Sequence, residues 1–282
     1  MQSTRVTFAE GALTGTGRVE HVENGVVVLD STPFHPVDHT WPDQPGDSGT
    51  LTIGDDVATV EEAVMVAVSD DGTFAVGEEI PVKRGTEGWT WLVGHRISGE
   101  IPGSFAEGAG VAASVDAERR AGLSRGHTAC HLASLALDAS LADLWRKDVP
   151  GDPLGNPDFE GKANQSSRIV LDGAADEYRL GKSLRKAGFD SAGFADSLAA
   201  REARINELLA GWVASAAPSR IVTDGPTITD MRRWECTLPE GDVAFPCGGT
   251  HVTSLSEFAS ITVTLDLSDP QLLVMTTSVV PQ

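Results

Sequence analysis

The chain has 282 residues, 40% of them hydrophobic, and a formal charge of −20 from 41 acidic against 21 basic side chains. That length suits two domains with ordinary cores, and that charge has the wrong sign for non-specific attraction to a nucleic-acid backbone, which argues against DNA as a partner. The three cysteines, Cys130, Cys236 and Cys247, allow at most one disulfide and exclude a disulfide-dense secreted scaffold.

The N-terminus leads directly into a strand-like Val6-Thr7-Phe8 without an apolar run of signal-peptide length, and no stretch approaches about 18 apolar residues. A cytoplasmic protein without a membrane span is therefore expected. Residues 1–115 are rich in short β-like runs. Gly17 to Val22 and Val26 to Asp30 flank Asn24-Gly25, a strong hairpin signal, and further runs cover Gly49 to Ile53, Val57 to Val68, Thr73 to Val76, Glu79 to Val82 and Trp89 to Val93. This half reads as a small β-barrel or a sandwich.

A Val111 to Val115 run leads to Asp116, which can cap a helix through Glu118, Leu123, His127, His131 and Leu135 toward Trp145. Gly122 and Gly126 weaken its first turns, so Ser124 is an alternative cap; either choice leaves both histidines on the helix. The prolines and glycines between Asp148 and Pro157 predict a surface loop. Strands are expected at Ser167 to Leu171 and Glu177 to Leu180, then a long helix from Ser191 to Ala214. Strands return at Ser219 to Val222, Ala259 to Leu267 and Leu272 to Val279. Basic residues cluster at Arg119-Arg120 with Arg125 nearby, at Lys182 to Lys186, and at Arg232-Arg233.

The chemistry is concentrated in two short motifs. His127 and His131 stand four apart in Arg125-Gly126-His127-Thr128-Ala129-Cys130-His131, a spacing that puts both imidazoles on one helix face. Cys247 and His251 stand four apart in Pro246-Cys247-Gly248-Gly249-Thr250-His251, where the glycines allow a tight turn. Together they read as one metal site with His127, His131, Cys247 and His251 as ligands. A soft thiolate argues against magnesium or calcium, and zinc is the expected ion. The zinc-protease motif needs a glutamate after the first histidine; Thr128 stands there instead. Cys130, between the histidines and off the ligand face, reads as helix packing, and Cys236 as a strand residue.

Both motifs resemble the editing domains attached to threonyl- and alanyl-tRNA synthetases, with His127 to Leu132 similar to their His-Thr-Ala-Thr-His-Leu helix and Pro246 to Val252 to their Cys-Gly-Gly-Thr-His loop. Free-standing relatives of those domains are the alanyl-tRNA editing (AlaX-type) proteins. The resemblance extends to Val28 to Pro36, to Gln44 to Gly49, to Asp116 to Arg120 and to Asn206, and so covers nearly the whole chain. It implies an α+β protein with an N-terminal β-barrel domain over 1–115 and a zinc-containing α+β editing domain over 116–282. It also implies a trans-acting deacylase that hydrolyses the ester of a mischarged tRNA, since no aminoacylation domain is visible.

One departure bears on the substrate. Where the family commonly has Gly-Gly-Gly-Gln after the proline of its Phe-x-Pro segment, this chain has Val37-Asp38-His39-Thr40-Trp41-Pro42-Asp43 before Gln44. The longer loop makes His35, Asp38, His39 and Gln44 the candidate catalytic residues, a histidine with a pKa near ~6.5 being a credible base or hydrogen-bond donor. It is also the expected source of altered amino-acid preference. Serine or glycine on alanine tRNA is the substrate the family implies, with threonine or a threonine analogue as competitor. Two other readings stand beside it: a metal-dependent hydrolase of a small aminoacyl ester or amide without RNA, and a non-catalytic zinc-binding module. Oligomeric state is not legible.

Overall fold

The structure, a computed structural model, describes residues 1–282 and is α+β, with contacts that divide it into two compact units. The first comprises Met1–Ala121, Ile221–Arg233 and Gly248–Thr250; the second comprises Gly122–Arg220, Trp234–Cys247 and His251–Gln282. No helix is long and apolar enough to cross a membrane.

The first unit holds a seven-stranded antiparallel sheet in the order Gly49–Ile53, Gly110–Val115, Thr14–Glu23, Val26–Leu29, Trp89–Ile97, Asp56–Ser69, Phe74–Val76. Gly49–Ile53 also pairs with Asp56–Ser69, so the pairings close into a ring. Alternation along the strands sends Val19, Leu29, Leu51, Met65, Trp91, Val93 and Val111 into one core. The Asn24-Gly25 hairpin forms as its sequence predicts: both residues have positive φ (51° and 76°), the backbone twist that suits a two-residue turn.

Two expectations fail locally. Thr7 and Phe8 leave the strand after Arg5–Val6, and a 3-10 turn covers Phe8–Glu10. Glu79 to Val82 forms no strand; a 3-10 turn covers Gly77–Glu79, and Pro81 lacks the N–H that a ladder would need.

His95 lies fully buried in this sheet. Its Nδ1 is 2.9 Å from the Val27 carbonyl, to which it must donate, and Nε2 accepts from the Thr32 hydroxyl at 2.8 Å while Thr32 Oγ1 accepts from Phe34 N. The neutral ring satisfies every partner, and burial pushes the pKa down to about 4 despite the Val27 bond.

The second unit packs the helix Ala117–Leu141 from Gly122 onward, together with Ser191–Ser215, on a four-stranded antiparallel sheet. Its strand order is Asn164–Val170, Gly173–Arg179, Leu272–Pro281, Phe258–Asp269. Leu132, Leu135, Phe159, Phe194, Ile205, Leu209, Trp212, Leu273 and Met275 form its core. Phe258–Asp269 is an edge strand, and the second helix covers that edge with polar side chains. Asn206 donates from Nδ2 to Val263 O (2.9 Å) and accepts from Val263 N at Oδ1 (2.7 Å), while Glu202 accepts from Leu265 N (2.8 Å). These bonds satisfy backbone groups that would otherwise recruit another strand. A separate three-stranded sheet of Ser219–Thr223, Arg232–Leu238 and Gly241–Pro246 delivers the chain to Cys247.

Asp116 caps the first helix, accepting from Arg119 N at 3.0 Å. Gly126 has a packing reason for standing inside it: a Cβ there would lie 2.4 Å from Val170 O and 2.5 Å from Gly173 O. The glycine lets two strands approach the helix at the turn that carries His127. Gly126→Ala is expected to destabilise the protein by about 1–3 kcal/mol, the usual range for overpacking, read as a lower urea midpoint with unchanged slope.

The buried histidine gives a pH signature. Its folded pKa lies below the unfolded value of ~6.5, so its contribution is complete above ~6.5 and is lost as pH falls toward about 4, by at most about 1.4 kcal/mol per pH unit. Buried Glu160 and Asp176, raised to about 7 and about 6 by burial, act in the opposite sense. The informative quantity is therefore the difference in slope between wild type and His95→Gln from pH 4 to 6.5, which should equal one histidine's share.

Candidate metal centre

His127 and His131 project from successive turns of one helix, and Cys247 and His251 come from the loop that follows the strand Gly241–Pro246; all four belong to the second unit. Cys247 Sγ lies 3.5 Å from His127 Nε2, 3.4 Å from His131 Nε2 and 3.2 Å from His251 Nε2. No two of the four donor atoms are more than 4.8 Å apart. Three imidazoles thus present the same nitrogen to one thiol, although 116 or more residues separate the two motifs.

This group could hold a metal ion, and its three nitrogen-to-sulfur separations are near those of a tetrahedral site. Metal–nitrogen and metal–sulfur lengths of ~2.05 and ~2.3 Å, as for zinc, imply a nitrogen-to-sulfur edge of ~3.6 Å, close to the three separations above. His127 is buried and the other three are half-buried, so the cluster is accessible on their side.

Aromatic rings wall the cluster. His131 stacks on Phe245 (centroids 5.0 Å apart, interplanar angle 11°) and on Trp234 (5.3 Å, 28°), and His251 lies 5.4 Å from the same indole. Burial pushes His131 down to about 4, so its imidazole is neutral near pH 7, the form that can donate a lone pair to a metal. The Thr128 hydroxyl bonds Ser124 O (2.9 Å), Val252 N (3.1 Å) and His251 Nδ1 (3.1 Å).

The sequence pattern did not reveal Thr128, Trp234 and Phe245 as neighbours of the ligands. Thr128 had only its adjacency to His127 as a signal and Phe245 its place two residues before Cys247, and Trp234 had none. Cys130 faces away, as packing requires: its thiol lies 3.4 Å from Asp176 Oδ1 and it clusters with Leu123, Ile169 and Ala174.

The candidate residues of the 35–44 segment lie in the first unit. His35 is buried edge-on to Phe8, and burial pushes its pKa down to about 4. Its backbone N–H donates to Asp47 (2.5 Å). Asp47 also receives the Arg120 guanidinium, which reaches both carboxylate oxygens and the Pro33 carbonyl, so this arginine is buried in an ion pair. Asp38 organises its own turn, accepting from Thr40 N (2.7 Å), Thr40 Oγ1 (2.6 Å) and Trp41 N (3.1 Å). Burial raises its pKa, but those bonds and Arg84 outweigh it and hold the carboxyl below its usual range.

His39 lies 5.3 Å from Trp91, centroid to centroid, with Nε2 3.0 Å from Val82 O. Gln44 is buried and grips Thr250 twice: Nε2 donates to Thr250 Oγ1 (2.8 Å) and Oε1 accepts from Thr250 N (3.0 Å).

No protein-family model matches the chain. Metal retained after dialysis, read by elemental analysis, should be near stoichiometric for wild type. It should be strongly depleted in Cys247→Ala and in His251→Ala, with Cys130→Ala unchanged as the control.

Proposed function

We propose that the protein is a zinc-dependent hydrolase acting in trans on the ester that links a wrongly selected amino acid to tRNA, with the first unit as the β-barrel domain of the AlaX-type arrangement. The observation that carries this reading is the convergence of three imidazole Nε2 atoms on the Cys247 thiol. The residues that converge are the same two motifs on which the resemblance to tRNA-editing domains rests. Their donor set favours zinc over the hard cations.

When bound, zinc would supply a Lewis acid able to hold an amino group, polarise an ester carbonyl or lower the pKa of a water to ~7, which with four protein ligands would require a fifth position or the release of one ligand. His127, His131, His251 and the Cys247 thiolate would hold it, and stacking on Phe245 and Trp234 orients the His131 ring. In this reading the 35–44 segment carries amino-acid preference. His35 is buried and held neutral, which does not suit a base working near pH 7. Gln44 is bonded to Thr250, and Asp38 and His39 shape the loop.

The overall acidity is offset locally. Of the basic clusters, Arg120 is buried on Asp47, Arg125 pairs with Asp172 at 2.5 Å, and Arg232 is buried against the Thr227 and Ile228 carbonyls. The short helix Lys182–Ala187 differs. Lys182, Arg185 and Lys186 are exposed, and Lys147 joins them by donating to Lys186 O at 2.9 Å. Four cations on one face are a credible contact for tRNA phosphates. The net charge of −20 favours the second reading, a hydrolase of a small aminoacyl ester or amide that needs no RNA.

A single series of assays separates these readings. Zinc-loaded protein is incubated with tRNAs charged with serine, glycine, alanine, threonine and threonine analogues, across a salt range, beside His131→Ala and Lys182→Glu/Lys186→Glu. Turnover of one ester, abolished in His131→Ala, is expected. The charge-reversal variant should bind tRNA more weakly, and its log affinity should fall less steeply with log salt, by about one for each phosphate that the variant no longer neutralises. Hydrolysis of small aminoacyl esters alone would select the second reading, and a folded zinc protein inert to every ester would leave a structural module.

A further inference from the structure

The Thr128 hydroxyl stands where three hydrogen-bonding groups meet. Ser124 O can only accept, Val252 N can only donate, and His251 Nδ1 can do either. A hydroxyl has one proton and two lone pairs. If its proton goes to Ser124 O, one lone pair takes the Val252 N–H and the other is left for His251, whose Nδ1 must then carry the hydrogen. That arrangement satisfies every group. It also leaves His251 Nε2 deprotonated, and Nε2 is the atom that faces Cys247 Sγ at 3.2 Å.

The opposite assignment fails on chemistry. With Nδ1 as an acceptor from Thr128, Nε2 would carry the proton and point it into the donor cluster, where it could not bind a metal. Ser124 O would lose the hydroxyl as well.

We infer that Thr128 is a positioning residue that selects the metal-binding tautomer of His251 and, through Val252 N, fixes the backbone just after it. It rests on the reading of the four-residue cluster as a metal site and not on any particular substrate. A threonine directly after the first helical ligand thus does for this centre what a carboxylate or carbonyl does behind other metal-bound histidines. The residue stands where the zinc proteases carry a general base, and its buried hydroxyl acts on the third ligand rather than on a water.

The test uses the full chain and zinc alone. Zinc affinity is measured by competition with a chromophoric chelator for wild type, Thr128→Val and Thr128→Ser, and thermal stability is read for each with and without zinc. Thr128→Val should lose 10- to 100-fold in affinity, roughly the range for removing such a partner, whereas Thr128→Ser should stay close to wild type. A purely structural role would lower the melting temperature of apo and zinc-loaded protein alike and leave the zinc-induced gain unchanged; that result would overturn the inference.

Should Thr128→Val fail to fold, the ¹⁵N imidazole spectrum of the zinc-loaded wild type decides alone. Protonated Nδ1 with zinc-shifted Nε2 at His251 is expected, and coordination through Nδ1 refutes the role. A wild type that binds no zinc would instead reject the metal reading itself.

Discussion

One turn of a rigid helix sets the separation of His127 and His131, and the other two donors must come to meet it. Backbone hydrogen bonding leaves the helix little freedom, so tolerance at the cluster lies in the loop that brings Cys247 and His251. That loop is restrained at its own backbone. Thr128 holds Val252 N and the His251 ring. Pinning the backbone just after a ligand limits the conformational freedom given up when a metal binds, which is the physical content of a preorganised site.

The same helix turn explains a residue that local propensity disfavours. Glycine inside a helix costs roughly 1 kcal/mol against alanine, yet at Gly126 any Cβ would collide with the carbonyls of Val170 and Gly173. Close approach of the strands outweighs helix propensity. A similar trade governs the polar interior. His95, Thr32 and Val27 form a closed donor–acceptor chain, and Asp47 neutralises Arg120 while accepting from His35 N. Each of these buried groups has the partner whose absence would cost more than the bond contributes.

Charge works at two scales. The whole chain is strongly acidic, which on its own opposes contact with RNA, whereas Lys147, Lys182, Arg185 and Lys186 gather on one exposed face. Screening over ~8–10 Å at physiological ionic strength lets such a patch act on a phosphate almost independently of distant carboxylates.

Much of the secondary structure was legible in the sequence because it rests on local rules. The Asn24-Gly25 turn, the Asp116 cap and the long helix from Ser191 follow from backbone preference and apolar spacing, and the four donor residues follow from their chemistry and i, i+4 placement. Glu79 to Val82 misled because β-like side chains hid a proline without an N–H. Other features depend on groups distant in the chain. The sheet pairings that close into a ring, the burial of Arg120 on Asp47 and the aromatic walls of Trp234 and Phe245 come from tertiary packing. So does the bond from Thr128 to a histidine 123 positions away. Sequence by itself determined which side chains could bind a metal, because that is a property of residue type and short spacing. Only the tertiary structure decided which nitrogen of each imidazole faces the thiol and what holds it there, because those are properties of hydrogen bonds that no local pattern encodes.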